Sequence, residues 1–169
     1  QWMACGLAIF TALGLYVSGR TLYGRRAGLW AALLYTCLSP ITDSMDANYG
    51  SWMIAPYVWS FAAFSTAFKR GALKWLVLAG MFLAIAGLMK RQAAVLFPLY
   101  ALVIMLSVRL SSPDGWIGLT DRRRAIAAVL VGLGLGFMPI LIRYGSSGEL
   151  MSFVNQYFFS ESGWKGKNY

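Results

Sequence analysis

Three short polar clusters hold the side chains of this sequence best suited to act on a charged substrate. Lys90-Arg91-Gln92 offers a point charge, a planar fork of N–H donors and an amide that both donates and accepts, a set suited to phosphate oxygens. Asp43 and Asp46 stand three residues apart, with Asn48 two further on. On a helix the two carboxylates share a face and can hold a divalent cation or an acceptor hydroxyl between them. Arg143, followed by Tyr144-Gly145-Ser146-Ser147-Gly148, can add a guanidinium to the same anion as Lys90 and Arg91. Each cluster also has a plainer reading: snorkelling of Lys90 and Arg91 to lipid headgroups, an acidic turn capping a helix that begins at Tyr49, and interfacial anchoring by Arg143.

The elements that must position these residues follow from where apolar sequence stops. Lys90 to Gln92 interrupt a run from Trp75 to Val108, much longer than the roughly 20 residues a helix needs to cross a bilayer. Two adjacent cations are costly within hydrocarbon, so the run reads as two helices meeting at a membrane surface. Six apolar segments result: Gln1 to Ser18, Ala27 to Ile41, Tyr49 to Phe68, Trp75 to Met89, Ala93 to Val108 and Ala125 to Ile142. Their continuous apolarity predicts helices, because barrel strands would alternate. The expected fold class is all-α, a polytopic transmembrane bundle of about six helices with no sheet. Several segments fall short of a full span, so some helices should extend into the connections or stop short of one face.

Composition supports that class. Hydrophobic residues make up 59% of the 169 and charged residues 12%, with a mean hydropathy of +0.59, too apolar for a soluble domain. The net charge of +9 comes from clusters between apolar segments, not from a stripe or tail, so nucleic acid is not an expected partner. Arg20, Arg25, Arg26, Lys69, Arg70, Lys74, Arg109 and Arg122 to Arg124 fall on one side of the alternating connections; Lys90, Arg91, Arg143, Lys165 and Lys167 fall on the other. The richer side is cytoplasmic by the positive-inside rule, which makes 19–26, 69–74 and 109–124 cytoplasmic loops of an integral, multi-pass plasma or inner membrane protein. Asp43, Asp46, Lys90, Arg91 and Arg143 then share the opposite face.

Histidine is absent, and Cys5 and Cys37 lie within apolar segments without a metal-binding spacing. No structural zinc, histidine-held haem or disulfide is expected, and no cofactor beyond a divalent cation at the acidic cluster. Pro56, Pro98 and Pro139 lie inside apolar segments and should bend their helices. Gly132 and Gly136 form a small-xxx-small pair expected to bring two helices close. Trp52, Trp59, Trp75, Trp116 and Trp164 lie mostly near segment ends, as interfacial aromatics do, and Met151 to Tyr169 reads as a re-entrant or interfacial amphipathic segment. The chain opens at Gln1 within apolar sequence and has no basic stretch ahead of it, so no signal peptide is expected. It reads as a single transmembrane domain over 1–169, a fragment of a longer protein.

Several stretches, in order, resemble polytopic GT-C glycosyltransferases: Gly24-Arg25-Arg26-Ala27-Gly28-Leu29-Trp30-Ala31-Ala32-Leu33-Leu34-Tyr35, Leu38-Ser39-Pro40, Asp46-Ala47-Asn48-Tyr49 with Met53 and Pro56, and Leu78-Ala79-Gly80-Met81 through Gly87-Leu88-Met89-Lys90-Arg91-Gln92 to Pro98. The nearest branch is the bacterial one related to protein O-mannosyltransferases and aminoarabinose transferases, and the resemblance covers roughly Tyr16 to Leu106. It implies transfer of a sugar from a polyprenyl-phosphate donor to an acceptor on the non-cytoplasmic side. In such enzymes an acid in the first external loop is the catalytic base, and basic residues at external helix ends hold the lipid phosphate. Lys90 matches the lysine of that second role, and Asp46 to Tyr49 match the second external loop. On this resemblance the first external loop would lie before Gln1. Gly50 stands where many relatives carry Glu, so either Asp43 or Asp46 takes the acidic role or the role is lost.

The sequence thus predicts Asp46 and Asp43 as catalytic residues, and Lys90, Arg91, Gln92, Asn48 and Arg143 as substrate-binding residues, with the bilayer and a polyprenyl-phosphate-linked sugar as partners. A competing expectation is a non-catalytic subunit packed among other membrane proteins on a degenerate scaffold of the same type. A third is a lipid-linked-sugar transporter, which needs charged groups along a central path.

Overall fold

A computed structural model of the chain describes residues 2–38, 49–89, 95–107 and 122–154. They form α1 (Trp2–Tyr23), α2 (Arg25–Leu38), α3 (Tyr49–Arg70), α4 (Leu73–Met89), α5 (Leu96–Ser107), α6 (Arg122–Ser146) and α7 (Leu150–Val154). Among the described residues there is no strand. Each of the six apolar segments is one helix, and α7 adds a short turn of helix at the start of the segment read as interfacial. In lipid a backbone must satisfy its own polar groups, and a helix does so within one segment.

Helix ends are set by backbone chemistry more than by where apolarity stops. The first segment ends in apolarity at Ser18, yet α1 runs on to Tyr23. It stops at Gly24, whose φ of 94° terminates the helix while its N–H still bonds the Arg20 carbonyl at 3.2 Å. Gly71, with a φ of 63°, lies between α3 and α4 in the same way. At 1.5 Å per residue the 14-residue α2 is about 21 Å long and the 12-residue α5 about 18 Å, both short of the roughly 30 Å hydrocarbon core.

Contacts between helices fix their directions. Phe10 meets Trp59 and Thr21 meets Lys69, so α1 and α3 run the same way. Ser60 meets Ala79 and Arg70 meets Trp75, so α4 runs against α3. A Cβ on Gly80 would overlap the Val129 carbonyl, and one on Gly136 would lie 2.6 Å from the Ala84 Cβ and 2.7 Å from the Met81 carbonyl oxygen. Residue number therefore rises together along α4 and α6, which are parallel. One end of the bundle accordingly holds the α1–α2 and α3–α4 turns and the start of α6. The other holds the ends of α2, α4 and α6 and the starts of α3 and α5.

The core lies where α3, α4, α5 and α6 meet, around Ala67, Leu76, Ala79, Leu83, Tyr100, Ile104, Ala125 and Val129. Phe64 stacks on Tyr100 with ring centroids 3.9 Å apart. Beside that stack the fully buried Ser60 donates from Oγ to the Ala79 carbonyl at 2.8 Å and shares a hydrogen bond with Tyr100 Oη at 2.9 Å, tying three helices together. The outer surface carries Ile9, Leu13, Leu29, Trp30, Leu33, Leu102, Met105, Leu135, Met138 and Leu141 exposed. Water does not tolerate so continuous an apolar surface, whereas lipid does.

Three expectations meet the structure differently. Gly132 and Gly136 do bring α6 onto α4: a Cβ on Gly132 would overlap the Val77 carbonyl. Pro56 and Pro139 lie inside α3 and α6, but Pro98 sits in the first turn of α5, where a helix has no N–H partner to lose and no bend is required. Trp59 is not an interfacial aromatic. It lies mid-way along α3, stacks on Phe10 with centroids 4.9 Å apart and donates Nε1 to the Phe10 carbonyl at 2.9 Å.

Candidate functional site

Only one of the predicted site residues, Arg143, lies among the described residues; Asp43, Asp46, Asn48, Lys90, Arg91 and Gln92 lie outside them. The helices that flank those residues nevertheless end together. Leu38 and Tyr49 bound 39–48, Met89 and Leu96 bound the connection after α4, and all four belong to the same bundle end as Arg143. Arg143 therefore lies at the bundle end where α2 and α4 finish and α3 and α5 begin.

Arg143 is held there by the way α6 stops. Gly148 takes the left-handed conformation at a φ of 72°, its N–H bonds the Gly145 carbonyl at 3.4 Å, and the Glu149 N–H bonds the Tyr144 carbonyl at 3.1 Å. This is a Schellman cap, which turns the chain sharply back after the helix. Ser146 and Ser147 add bonds from their hydroxyls to the carbonyls of Arg143 and Tyr144, at 2.9 and 3.1 Å. Arg143, in the last turn of α6, is favourably placed at the negative end of the helix dipole.

The turn also produces a residue that sequence reading passed over. Glu149 lines the same open hollow of about 560 Å³ as Arg143, with Pro139, Ile142, Tyr144, Ser146 and Ser147. It is the one carboxylate side chain among the described residues. The signal was present: the Gly/Ser run after Arg143 is a helix-stop signal, and it returns the next residue toward the last turn. Among the described residues no three His, Cys, Asp or Glu side chains come together as a metal site.

The other end has the opposite character. Arg20, Arg25, Arg26, Lys69, Arg70, Lys74 and Arg122 to Arg124 lie there among the described residues, against Arg143 at the far end. Arg25 and Arg26 open α2, and Arg122 to Arg124 open α6, at the positive ends of those helix dipoles. The dipoles of their own helices do not favour cations at these positions.

A groove of about 690 Å³ runs into the bundle from this basic end between α1, α3 and α4. Its depth is apolar and aromatic, with Phe10, Trp59 and Phe82, and its mouth is cationic, with Arg20, Lys69 and Arg70. Among the described residues no carboxylate lines it. The buried polar side chains are hydroxyls, those of Thr11, Ser18, Ser60, Ser65 and Thr66, so the described helices offer no buried charge to a central path.

The model of the dolichyl-phosphate-mannose-protein mannosyltransferase family matches residues 2–131. No curated protein and no solved structure gives a significant match to the chain.

Proposed function

Since the chain belongs to the dolichyl-phosphate-mannose-protein mannosyltransferase family of GT-C membrane glycosyltransferases, we propose that it transfers a sugar from a polyprenyl-phosphate donor to an acceptor on the non-cytoplasmic face of a multi-pass bundle. The observation that carries this reading is the charge contrast between the two bundle ends. The basic end suits the cytoplasmic side of a bacterial inner membrane, and the opposite end holds Arg143 and the helix termini that flank Asp43, Asp46, Lys90 and Arg91 in the sequence.

In the proposed reaction the bond from the sugar's anomeric carbon to the donor phosphate oxygen breaks while a bond to the acceptor oxygen forms. The acceptor's proton passes to a carboxylate, for which Asp46 and Asp43 are the candidates, with Asn48 orienting the acceptor and a divalent cation as an aid. The polyprenyl phosphate leaves with the bonding electron pair. Lys90 and Arg91 neutralise its growing charge, Gln92 donates to a phosphate oxygen, and Arg143 adds a cation from the end of α6.

The test is transfer of labelled mannose from a polyprenyl-phosphate donor by the complete protein in membranes. Replacing Lys90 by Ala should lower turnover by about 100-fold or more, the scale on which removal of a charge-stabilising donor acts. Unchanged turnover would remove Lys90 from the mechanism. Gly50, at a position where the resemblance implies Glu in many relatives, favours a second reading, a non-catalytic subunit. That reading predicts no transfer by the purified complete protein with any donor, and survival of its function after Lys90→Ala.

A further inference from the structure

We propose that the groove between α1, α3 and α4 is a seat for one anionic phospholipid of the leaflet at the basic end, its phosphate held by Arg20, Lys69 and Arg70 and one acyl chain lying along the aromatic wall. The seat is at the opposite end of the bundle from the transfer reaction and does not depend on it.

The dimensions fit a single leaflet. From Arg70 to Trp59 along α3, and from Arg20 to Phe10 along α1, the rise at 1.5 Å per residue is about 15 Å, half of a roughly 30 Å hydrocarbon core. Cations at one limit of that depth and Phe10, Trp59 and Phe82 at the other match a headgroup at the interface and a chain ending near the midplane. A volume of about 690 Å³ lies within the range of roughly 300–1,000 Å³ usual for ligand sites.

The polar groups at the mouth are arranged but not saturated. Lys69 Nζ donates to the Thr21 carbonyl at 3.1 Å, which fixes the ammonium between α1 and α3 and leaves two of its three donors. The Arg70 guanidinium lies over the Trp75 ring at 5.7 Å, a cation–π contact that occupies its face and leaves its N–H edge. Trp75, which also lines the groove, has a buried indole N–H without an acceptor. A buried donor of this kind is ordinarily paired, and a phosphate or ester oxygen is the acceptor that a phospholipid would bring. Among the described residues no carboxylate lines the groove, so a phosphate fits the charge of its mouth.

Charge complementarity thus selects an acidic phospholipid over a zwitterionic one, and depth selects a leaflet lipid over a soluble phosphate. The experiment is native mass spectrometry of the complete, delipidated protein titrated with phosphatidylglycerol or phosphatidylcholine of identical chains. The first bound phosphatidylglycerol should be favoured by about tenfold. Combined Arg20→Gln, Lys69→Gln and Arg70→Gln should abolish that preference, while Arg122→Gln, Arg123→Gln and Arg124→Gln together should leave it intact. Ala63→Leu, which keeps every cation and fills the groove, should also abolish it; helical content by circular dichroism and a monodisperse elution profile show that each variant is folded. Equal binding of the two lipids, a preference that follows Arg122 to Arg124, or displacement of phosphatidylglycerol by inorganic phosphate or polyprenyl phosphate would each overturn the proposal. Mannose transfer is not the readout, so this test fails or succeeds apart from the one on Lys90.

Discussion

The two sides of α4 solve the problem of helix contact in opposite ways. Against α6 it presents Gly80 and Ala84 to Gly132 and Gly136, and the backbones approach until a Cβ added at Gly80, Gly132 or Gly136 has no room. On its other side, where α3 joins it to α1, Trp59 and Phe82 stand between helices as spacers, with ring centroids 6.2 Å apart, and a groove remains. Helix association in lipid has little hydrophobic drive, so it rests on close packing and hydrogen bonds. The glycine side obtains packing and keeps nothing out of reach. The aromatic side gives up packing and gains a space with charged residues at its mouth.

If that contrast is right, adding volume should be ruinous on the glycine side. Gly132→Leu drives a side chain into the Val77 carbonyl, which cannot rotate away as a side chain can. Overpacking typically costs about 1–3 kcal/mol, and a backbone obstacle puts this variant at the upper end or beyond. The expected outcome is loss of monodisperse protein, or a large fall in thermal midpoint in detergent. A midpoint near that of the parent would show that α4 and α6 can separate cheaply.

The next largest effect belongs to the polar tie beside the aromatic side. Ser60→Ala removes a bond to the Ala79 carbonyl and leaves the Tyr100 hydroxyl buried without its partner. A loss of about 1–2 kcal/mol is expected. Adding Tyr100→Phe should restore part of it, because the orphaned hydroxyl is then gone; a double variant less stable than the single one would contradict this account. Trp59→Phe is milder. It keeps an aromatic spacer and removes the 2.9 Å bond from Nε1 to the Phe10 carbonyl, worth about 0.5–1.5 kcal/mol, readable as a smaller drop in the same thermal midpoint.

These same residues show what the sequence made legible. The helices could be read because lipid demands long apolar runs, and each predicted segment contains or overlaps one helix. The Gly132 and Gly136 pair could be read because small residues four apart are a local pattern with one physical use. Trp59 could not, since its role depends on Phe10 reaching it from another helix, and a position in the chain says nothing of that register. The groove was hidden for the same reason: charge counting puts Arg20 and Lys69 on one side, but only the parallel packing of α1 on α3 brings them to one mouth. Of the candidate site, only Arg143 lies among the described residues, and the alternation of helices puts it at the end opposite the basic one. Glu149 required the geometry of the cap after α6, in which the chain folds back through Gly148.

The smallest expected effect is the sharpest control, because it uses the same helix and the same kind of residue. Gly134 lies two positions from Gly132 on α6, roughly 200° around a helix of 3.6 residues per turn, and a Cβ there would meet nothing within 4 Å. Gly134→Ala should leave the thermal midpoint unchanged or raise it slightly, since alanine favours helix over glycine by up to about 1 kcal/mol. Gly132→Ala, with the same gain in propensity, should still lower it, because its single added carbon meets the Val77 carbonyl. The opposite signs isolate contact from propensity. Were both variants to move the midpoint in the same direction, backbone entropy and not the approach of α4 to α6 would explain the glycines, and the division of α4 into a closed side and an open one would lose its physical basis.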